Sequence, residues 1–332
     1  MEKRCLIVTT FIGFGDLLYH TPIFRMLKSK KYSIDVWCKN PEPYLNNPNI
    51  DNMYIIENNN IPIPTLFYPW GHFMVGNLLA GVSHPNSHVV DYISANLFRS
   101  VFLARDKTLD LYWTGQHEEF ARAALLPVKL VGRGDEVRKP VLAMSPVIGW
   151  PSRTMPLEWY VEIATRVRAF GYKVVLVGKE IDPRSIGADN EKLYKNENKG
   201  LYDHEAIPHD LCLYNKTNLH ELAAVYNQCD VILTTETGHL PIAGCCDNPH
   251  IVYAGQLIHP EFRMPYRRGS QSFRSTIVQT KGEYYPVYAR MLEAGIRLTD
   301  IETRPADAHE VAGACIDALS IAETELNYGE RL

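Results

Sequence analysis

The chain has 332 residues, 46% of them hydrophobic and 22% charged, which excludes a mainly disordered chain, a collagen-like chain and a small disulfide-stapled scaffold. At ~150 residues per domain the length suits about two domains, and a chain of this size buries a core without metals or crosslinks. A net charge of -4 argues against a protein whose main task is gripping nucleic acid, although a local basic patch stays open.

Residues 4–10 read as a buried strand, being short, apolar and β-branched. A glycine-bearing loop, Phe11-Ile12-Gly13-Phe14-Gly15-Asp16, leads into a helix over 17–29 with Leu18, Ile23, Met26 and Leu27 among its apolar positions. Residues 33–38 read as the next strand. Strand, helix and strand in this length form a βαβ unit, so the sheet is parallel. Asn47-Pro48-Asn49-Ile50-Asp51 is turn chemistry before a strand over 53–56. Prolines and aromatics without a clean period mark 57–90 as a long loop with a short helix, and 88–104 read as helical. The polar, glycine-bearing stretch 130–140 is the domain linker.

A second alternation follows. Strands are predicted over 141–145, 173–178, 230–235 and 250–254, and helices over 156–170, 218–227 and 238–246, with 182–206 polar and exposed and a terminal helix over 308–326. Two βα halves point to paired doubly wound, Rossmann-like domains. The boundaries are 1–138 for the first, 139–305 for the second and 306–332 for the terminal segment. Ligands of such sheets bind at the carboxyl ends of the strands.

The seven cysteines are odd in number and form no CxxC pair. They read as buried, reduced thiols of a cytosolic protein, with Cys245-Cys246 in a core helix rather than a redox pair. The apolar run after Met1-Glu2-Lys3-Arg4 is too short for a signal peptide. No stretch approaches ~20 apolar residues, so no segment spans a membrane, while peripheral contact stays open.

Four places carry candidate chemistry. Gly13-Phe14-Gly15-Asp16 is not a dinucleotide fingerprint, because Leu18 occupies the place of a third glycine. It is a turn presenting a carboxylate at a helix start, where Asp16 either caps the helix or acts as a general base. Arg153 precedes the helix that begins near Pro156, a setting suited either to a diphosphate or to a solvated arginine. In Thr235-Glu236-Thr237-Gly238 a strand ends and a helix begins, which suits either phosphate and sugar hydroxyls or plain threonine capping. In Asn218-Leu219-His220-Glu221, Glu221 either completes a capping box or binds a ribose. His204 and His209 flank a proline and do not make a helical metal site. The run Phe262-Arg263-Met264-Pro265-Tyr266-Arg267-Arg268 is basic with interleaved aromatics, either a solvated loop or a surface for a phosphorylated acceptor or nucleic acid.

In order along nearly the whole chain, these pieces resemble glycosyltransferase family 9, the ADP-heptose–lipopolysaccharide heptosyltransferase group. The resemblance rests on Gly15-Asp16-Leu17-Leu18-Tyr19-His20-Thr21-Pro22, Asn47-Pro48-Asn49-Ile50-Asp51, Arg153-Thr154-Met155-Pro156-Leu157-Glu158-Trp159, Leu219-His220-Glu221-Leu222 with Cys229-Asp230-Val231, and Glu236-Thr237-Gly238 with Asn248-Pro249. It implies a GT-B fold, two Rossmann-like domains facing a central cleft, with the terminal helix packing back on the first domain. It implies Asp16 as the catalytic base, Gly13 and Gly15 in the acceptor-side loop, and Arg153, Glu221, Glu236, Thr237 and Gly238 as donor-binding residues. Departures from the family pattern are Glu236 for aspartate, Pro241 for histidine, Met155 for tryptophan and Arg153 for lysine.

The function so implied is inverting transfer from a nucleoside-diphosphate sugar to a hydroxyl of a glycan or lipid-linked, lipopolysaccharide-type acceptor. No metal and no other cofactor is implied, and the place of action is the cytoplasm or the inner face of the membrane. Two alternatives remain open. A same-fold transferase acting on a nucleic-acid base would show steeply salt-dependent DNA binding. A catalytically silent sugar-nucleotide-binding protein would bind donor without turnover.

Overall fold

A computed structural model describes residues 3–9, 13–56, 72–74, 88–98, 106–129, 138–146, 155–179, 204–255, 264–265, 275–279 and 307–329. Two separate sheets carry the fold, and every strand pair in both is parallel. The first contains β1 (Lys3–Thr9), β2 (Tyr32–Cys38), β3 (Asn52–Ile55) and β4 (His72–Met74) in the order β3-β2-β1-β4. The second contains β5 (Val141–Met144), β6 (Lys173–Leu176), β7 (Leu211–Cys212), β8 (Val231–Thr234), β9 (His250–Gly255) and β10 (Ser275–Gln279). Its order, β10-β9-β8-β5-β6-β7, is that of a dinucleotide-binding fold, and the strand order of the first sheet repeats the same beginning. In each sheet the direction of winding reverses at the first strand, between β1 and β4 and between β5 and β8. Such reversals open a crevice at the carboxyl edge, and this is where the candidate residues after β1 and β8 fall.

Strands β5 and β8 are buried on both faces, so they read as continuous apolar runs. Their alternate residues divide between two layers. Leu142, Met144, Val231 and Leu233 face one side, while Val141, Ala143 and Ile232 face the other. The second layer is continuous with the core around Cys5, Ile7, Ile34 and Val36 of the first sheet, so one apolar cluster runs through both lobes.

The helices are α1 (Phe14–Leu18), α2 (Thr21–Ser29), α3 (Val89–Phe98), α4 (Gly115–Lys129), α5 (Leu157–Ala169), α6 (Leu219–Gln228), α7 (His239–Gly244) and α8 (Ala308–Gly329). A single helix is predicted over 17–29, but the structure breaks it at Tyr19–His20. Pro22 explains the break: it lacks an N–H, and its ring would meet the carbonyl of Leu18 in a continuous helix. The Thr21 hydroxyl donates to that carbonyl at 2.8 Å instead. Within the predicted loop 57–90, His72–Met74 is a strand paired with β1.

Helix α4 is not anticipated by the sequence reading and lies along α6. The terminal helix is expected to return to the first domain. Its described contacts are instead with α5 and with β5, β8, β9 and β10 of the second sheet. Val311, Ala312, Cys315 and Leu319 join Tyr160, Ile163 and Val167 of α5 in one core, and the Tyr172 hydroxyl meets Ser320 Oγ at 2.9 Å. The stripe is made of small side chains, which lets α8 sit close on that layer.

The predicted linker lies mostly outside the described residues, but both of its flanks do not. Arg138 donates to Asp230 at 2.7 and 2.6 Å, and the same carboxylate accepts from Val141 N at 2.8 Å. All seven cysteines are free thiols and six are buried. Burial pushes the Cys5 and Cys229 thiols up to about 12, far from the reactive thiolate range. Among the described residues no helix is long and apolar enough to cross a membrane.

Candidate functional site between the two sheets

The first side of the site begins where β1 ends. Gly13, in extended conformation, is the N-cap of α1, and Asp16 falls in the first turn of the helix. Asp16 therefore does not cap the helix. It places a half-buried carboxylate in that first turn. One turn later comes His20, 1% exposed, whose Nδ1 lies 3.2 Å from the Tyr44 hydroxyl. Burial lowers the His20 pKa to about 4, and the nearby Asp16 charge opposes that shift. His20 is thus a neutral ring beside Asp16, a neighbour that sequence reasoning missed because nothing local marks it.

The second side begins where β8 ends. Thr235 and Glu236 are 2% and 3% exposed, and Thr237 N donates to Thr235 O at 2.8 Å in a tight turn. Gly238 is the N-cap of α7, and Thr237 Oγ1 accepts a long bond, 3.4 Å, from His239 N. Threonine capping is therefore weak here. The Tyr226 hydroxyl bonds His239 Nδ1 at 2.6 Å, and burial lowers that ring to about 4. Pro241 is buried in the body of α7.

The two sides meet through their glycines. A Cβ on Gly15 would lie 3.1 Å from Pro241 Cγ and 3.2 Å from Gly238 Cα. Only the lack of a side chain lets α1 and α7 approach so closely. This contact brings Gly13, Gly15 and Asp16 to one junction with Glu236, Thr237 and Gly238.

Glu221 sits on neighbouring α6, where it completes the capping box. Its Oε2 accepts from Asn218 N at 2.8 Å, and Asn218 Oδ1 accepts from Glu221 N at 2.9 Å. Glu221 is only half-buried. Arg153 lies outside the described residues, as does the basic run 262–268 apart from Met264 and Pro265. Met264 O lies 3.0 Å from His88 Nε2, which ties Met264 to the first lobe. His204 stacks on Tyr214 and His209 Nδ1 bonds Ile207 O. Among the described residues no group of three or more His, Cys, Asp or Glu side chains is placed to hold a metal ion.

Comparison with known proteins gives the same picture. No curated protein matches the chain. The chain is similar to a solved glycosyltransferase family 9 structure from Veillonella parvula, with 16% identity over 96% of this chain and 98% of that one, at a TM-score of 0.65. It is similar to the ADP-heptose lps heptosyltransferase II of E. coli, with 16% identity over 96% of this chain and 99% of that one, at 0.58. It is also similar to the E. coli heptosyltransferase WaaC solved with ADP, with 12% identity over 88% and 98% of the two chains, at 0.50. At such identities the likeness speaks for the fold. A sequence model described as Glycosyltransferase family 9 (heptosyltransferase) matches residues 86–282, more than half of the chain. With two parallel sheets of this strand order and this match, the chain belongs to glycosyltransferase family 9.

Proposed function

We propose that this glycosyltransferase moves a sugar from a nucleoside-diphosphate sugar to an acceptor hydroxyl with inversion, and that Asp16 is the base. The observation that supports this most is the apposition of α1 with the Glu236-Thr237-Gly238 turn across Gly15. It brings the helix that carries Asp16 up to the glycine-bearing turn that follows β8. The first domain (1–138) would hold the acceptor and the second (139–305) the donor.

Asp16 takes the proton from the acceptor hydroxyl, and the oxygen attacks the anomeric carbon from the face opposite the diphosphate. The new glycosidic bond forms as the bond to the diphosphate breaks. Arg153 and the backbone N–H groups around Gly238 receive the charge that builds on the leaving group. Glu236 and Thr237 bind the donor's sugar and phosphates, and Glu221 its nucleoside. A neutral His20 at Asp16's side supplies no proton near neutral pH.

The similarity to heptosyltransferases solved with ADP or named for ADP-heptose favours an ADP-sugar donor. The acceptor is a glycan or lipopolysaccharide-type molecule, met in the cytoplasm or at the inner face of the membrane. A thermal-shift series with nucleotide sugars tests the donor, because a ligand that binds only the folded state raises the melting temperature. With the donor found, Asp16→Asn should abolish transfer while leaving donor affinity nearly intact. Full turnover by that variant removes Asp16 from its role.

A further inference from the structure

Besides the glycine contact, a hydrogen bond crosses between the lobes at the same carboxyl edge. A 3-10 turn, Glu42–Tyr44, follows β2, and Glu42 Oε1 accepts from Leu219 N at 3.1 Å, across 177 residues of sequence. Leu219 is the first residue of α6, and its N–H has no partner within its own helix. Asn218 and Glu221 satisfy each other's backbone N–H groups. Of the two donors left at the positive end of α6, Leu219 N–H is met by a carboxylate of the other lobe, which also suits the helix dipole.

The turn that carries Glu42 is firmly held. Glu42 N donates to Asn40 Oδ1 at 3.3 Å. Tyr44 is 2% exposed and packs edge-on against Phe24 of α2, with ring centroids 5.2 Å apart. The Tyr44 hydroxyl reaches His20 Nδ1, and His20 lies in the field of Asp16. One three-residue turn therefore touches the surroundings of the base at one end and the start of the nucleoside-side helix at the other. Next to it the His117 and His220 rings sit 5.4 Å apart, completing the contact of α4 with α6.

We propose that Glu42 is a positioning residue: its bond to Leu219 N latches the start of α6 to the base-bearing lobe and sets the width of the cleft. This rests on the reading that α6 lies on the donor side. Glu42 touches no reacting atom. Its effect passes through α6, whose first turn carries Glu221, and through Tyr44 to His20.

The test compares wild type, Glu42→Ala and Glu42→Gln, each first shown to be folded by circular dichroism. Small-angle scattering of the ligand-free proteins reads lobe separation, and calorimetric titration with ADP reads the nucleotide site. Glu42→Ala should scatter as a more open particle and bind ADP about three- to tenfold more weakly, a change within the net contribution of a single hydrogen bond. Glu42→Gln keeps an oxygen that accepts from Leu219 N–H and should restore both readouts to near wild type. The latch is overturned if Glu42→Ala matches wild type in scattering and ADP affinity, or if Glu42→Gln behaves like Glu42→Ala. Absence of ADP binding by wild type would count against the donor assignment alone, since the scattering comparison still decides the latch.

Discussion

Gly15 on α1 and Gly238 at the start of α7 lie so close that a methyl group on the first would sit 3.2 Å from the Cα of the second. The atoms on the far side, Gly238 backbone and the Pro241 ring, belong to a short helix and cannot swing aside like the end of a long side chain. Gly15→Ala must therefore separate α1 from α7 by a few tenths of an ångström. Within α1 itself alanine is favoured over glycine by about 0.5–1 kcal/mol, so the variant should melt near wild type. Its transfer rate should nevertheless fall by at least about tenfold, because a small misplacement of a base is costly. A Gly15→Ala enzyme with undiminished turnover would show that the close approach is packing alone.

Three histidines make the fold sensitive to acid. Burial lowers His20, His88 and His239 to about 4 from the ordinary 6.5. The folded form keeps these rings neutral while the unfolded chain binds protons below pH 6.5, so stability is full above that value and lost as the pH falls toward 4. At about 1.4 kcal/mol per pKa unit each ring contributes up to about 3 kcal/mol to this loss, an upper bound for rings that relax on protonation. The melting temperature should be level above pH 7 and drop steeply between about pH 6 and pH 4.5. A flat profile across that window would mean that these rings are hydrated.

The Tyr226 hydroxyl is both a structural and a local control on the donor-side turn. It bonds buried His239 Nδ1 at 2.6 Å, and His239 directly follows Gly238. Tyr226→Phe keeps the ring packing and removes only the hydroxyl, leaving a buried imidazole nitrogen unmatched. A cost of about 1–3 kcal/mol follows, visible in chemical denaturation. ADP affinity should fall in the same variant, since the turn Thr235–Gly238 is no longer held from behind. Unchanged stability would show that His239 finds another partner.

What was legible in the sequence follows from what is local. Strands such as Val141–Met144 and Val231–Thr234 are continuous apolar runs ended by polar turns, and parallel burial leaves that pattern. The capping box is written in Asn218 and Glu221 three residues apart. Helix α4 leaves little pattern in the sequence, because its buried stripe is narrow, Ala121, Leu125 and Val128, and Pro127 sits within it. The stripe of α8 shows that the helix docks but not on what: Ala312, Cys315 and Ala318 would suit either lobe, and only the three-dimensional packing selects α5 and the second sheet. His20 and Glu42 gave no signal at all, because their partners Tyr44 and Leu219 come from 24 and 177 residues away.

Glu221 poses a choice that one substitution resolves. Its carboxylate accepts from Asn218 N at 2.8 Å, so a purely structural role is sufficient to explain its presence. Glutamine serves the third position of a capping box nearly as well as glutamate. Glu221→Gln should therefore leave the melting temperature within about a degree or two of wild type, since only a few tenths of a kcal/mol of dipole interaction is lost. A ribose hydroxyl, by contrast, donates more strongly to a carboxylate than to an amide, the charged bond being about twice as strong. If Glu221 binds the nucleoside, the glutamine variant loses roughly three- to tenfold in ADP affinity at unchanged stability. Asn218→Ala supplies the converse: it breaks the box, costs about 1 kcal/mol of stability and leaves the carboxylate charge in place. Weaker ADP binding by Glu221→Gln together with destabilisation by Asn218→Ala would separate the two roles, and equal ADP affinity in wild type and Glu221→Gln would confine Glu221 to its helix.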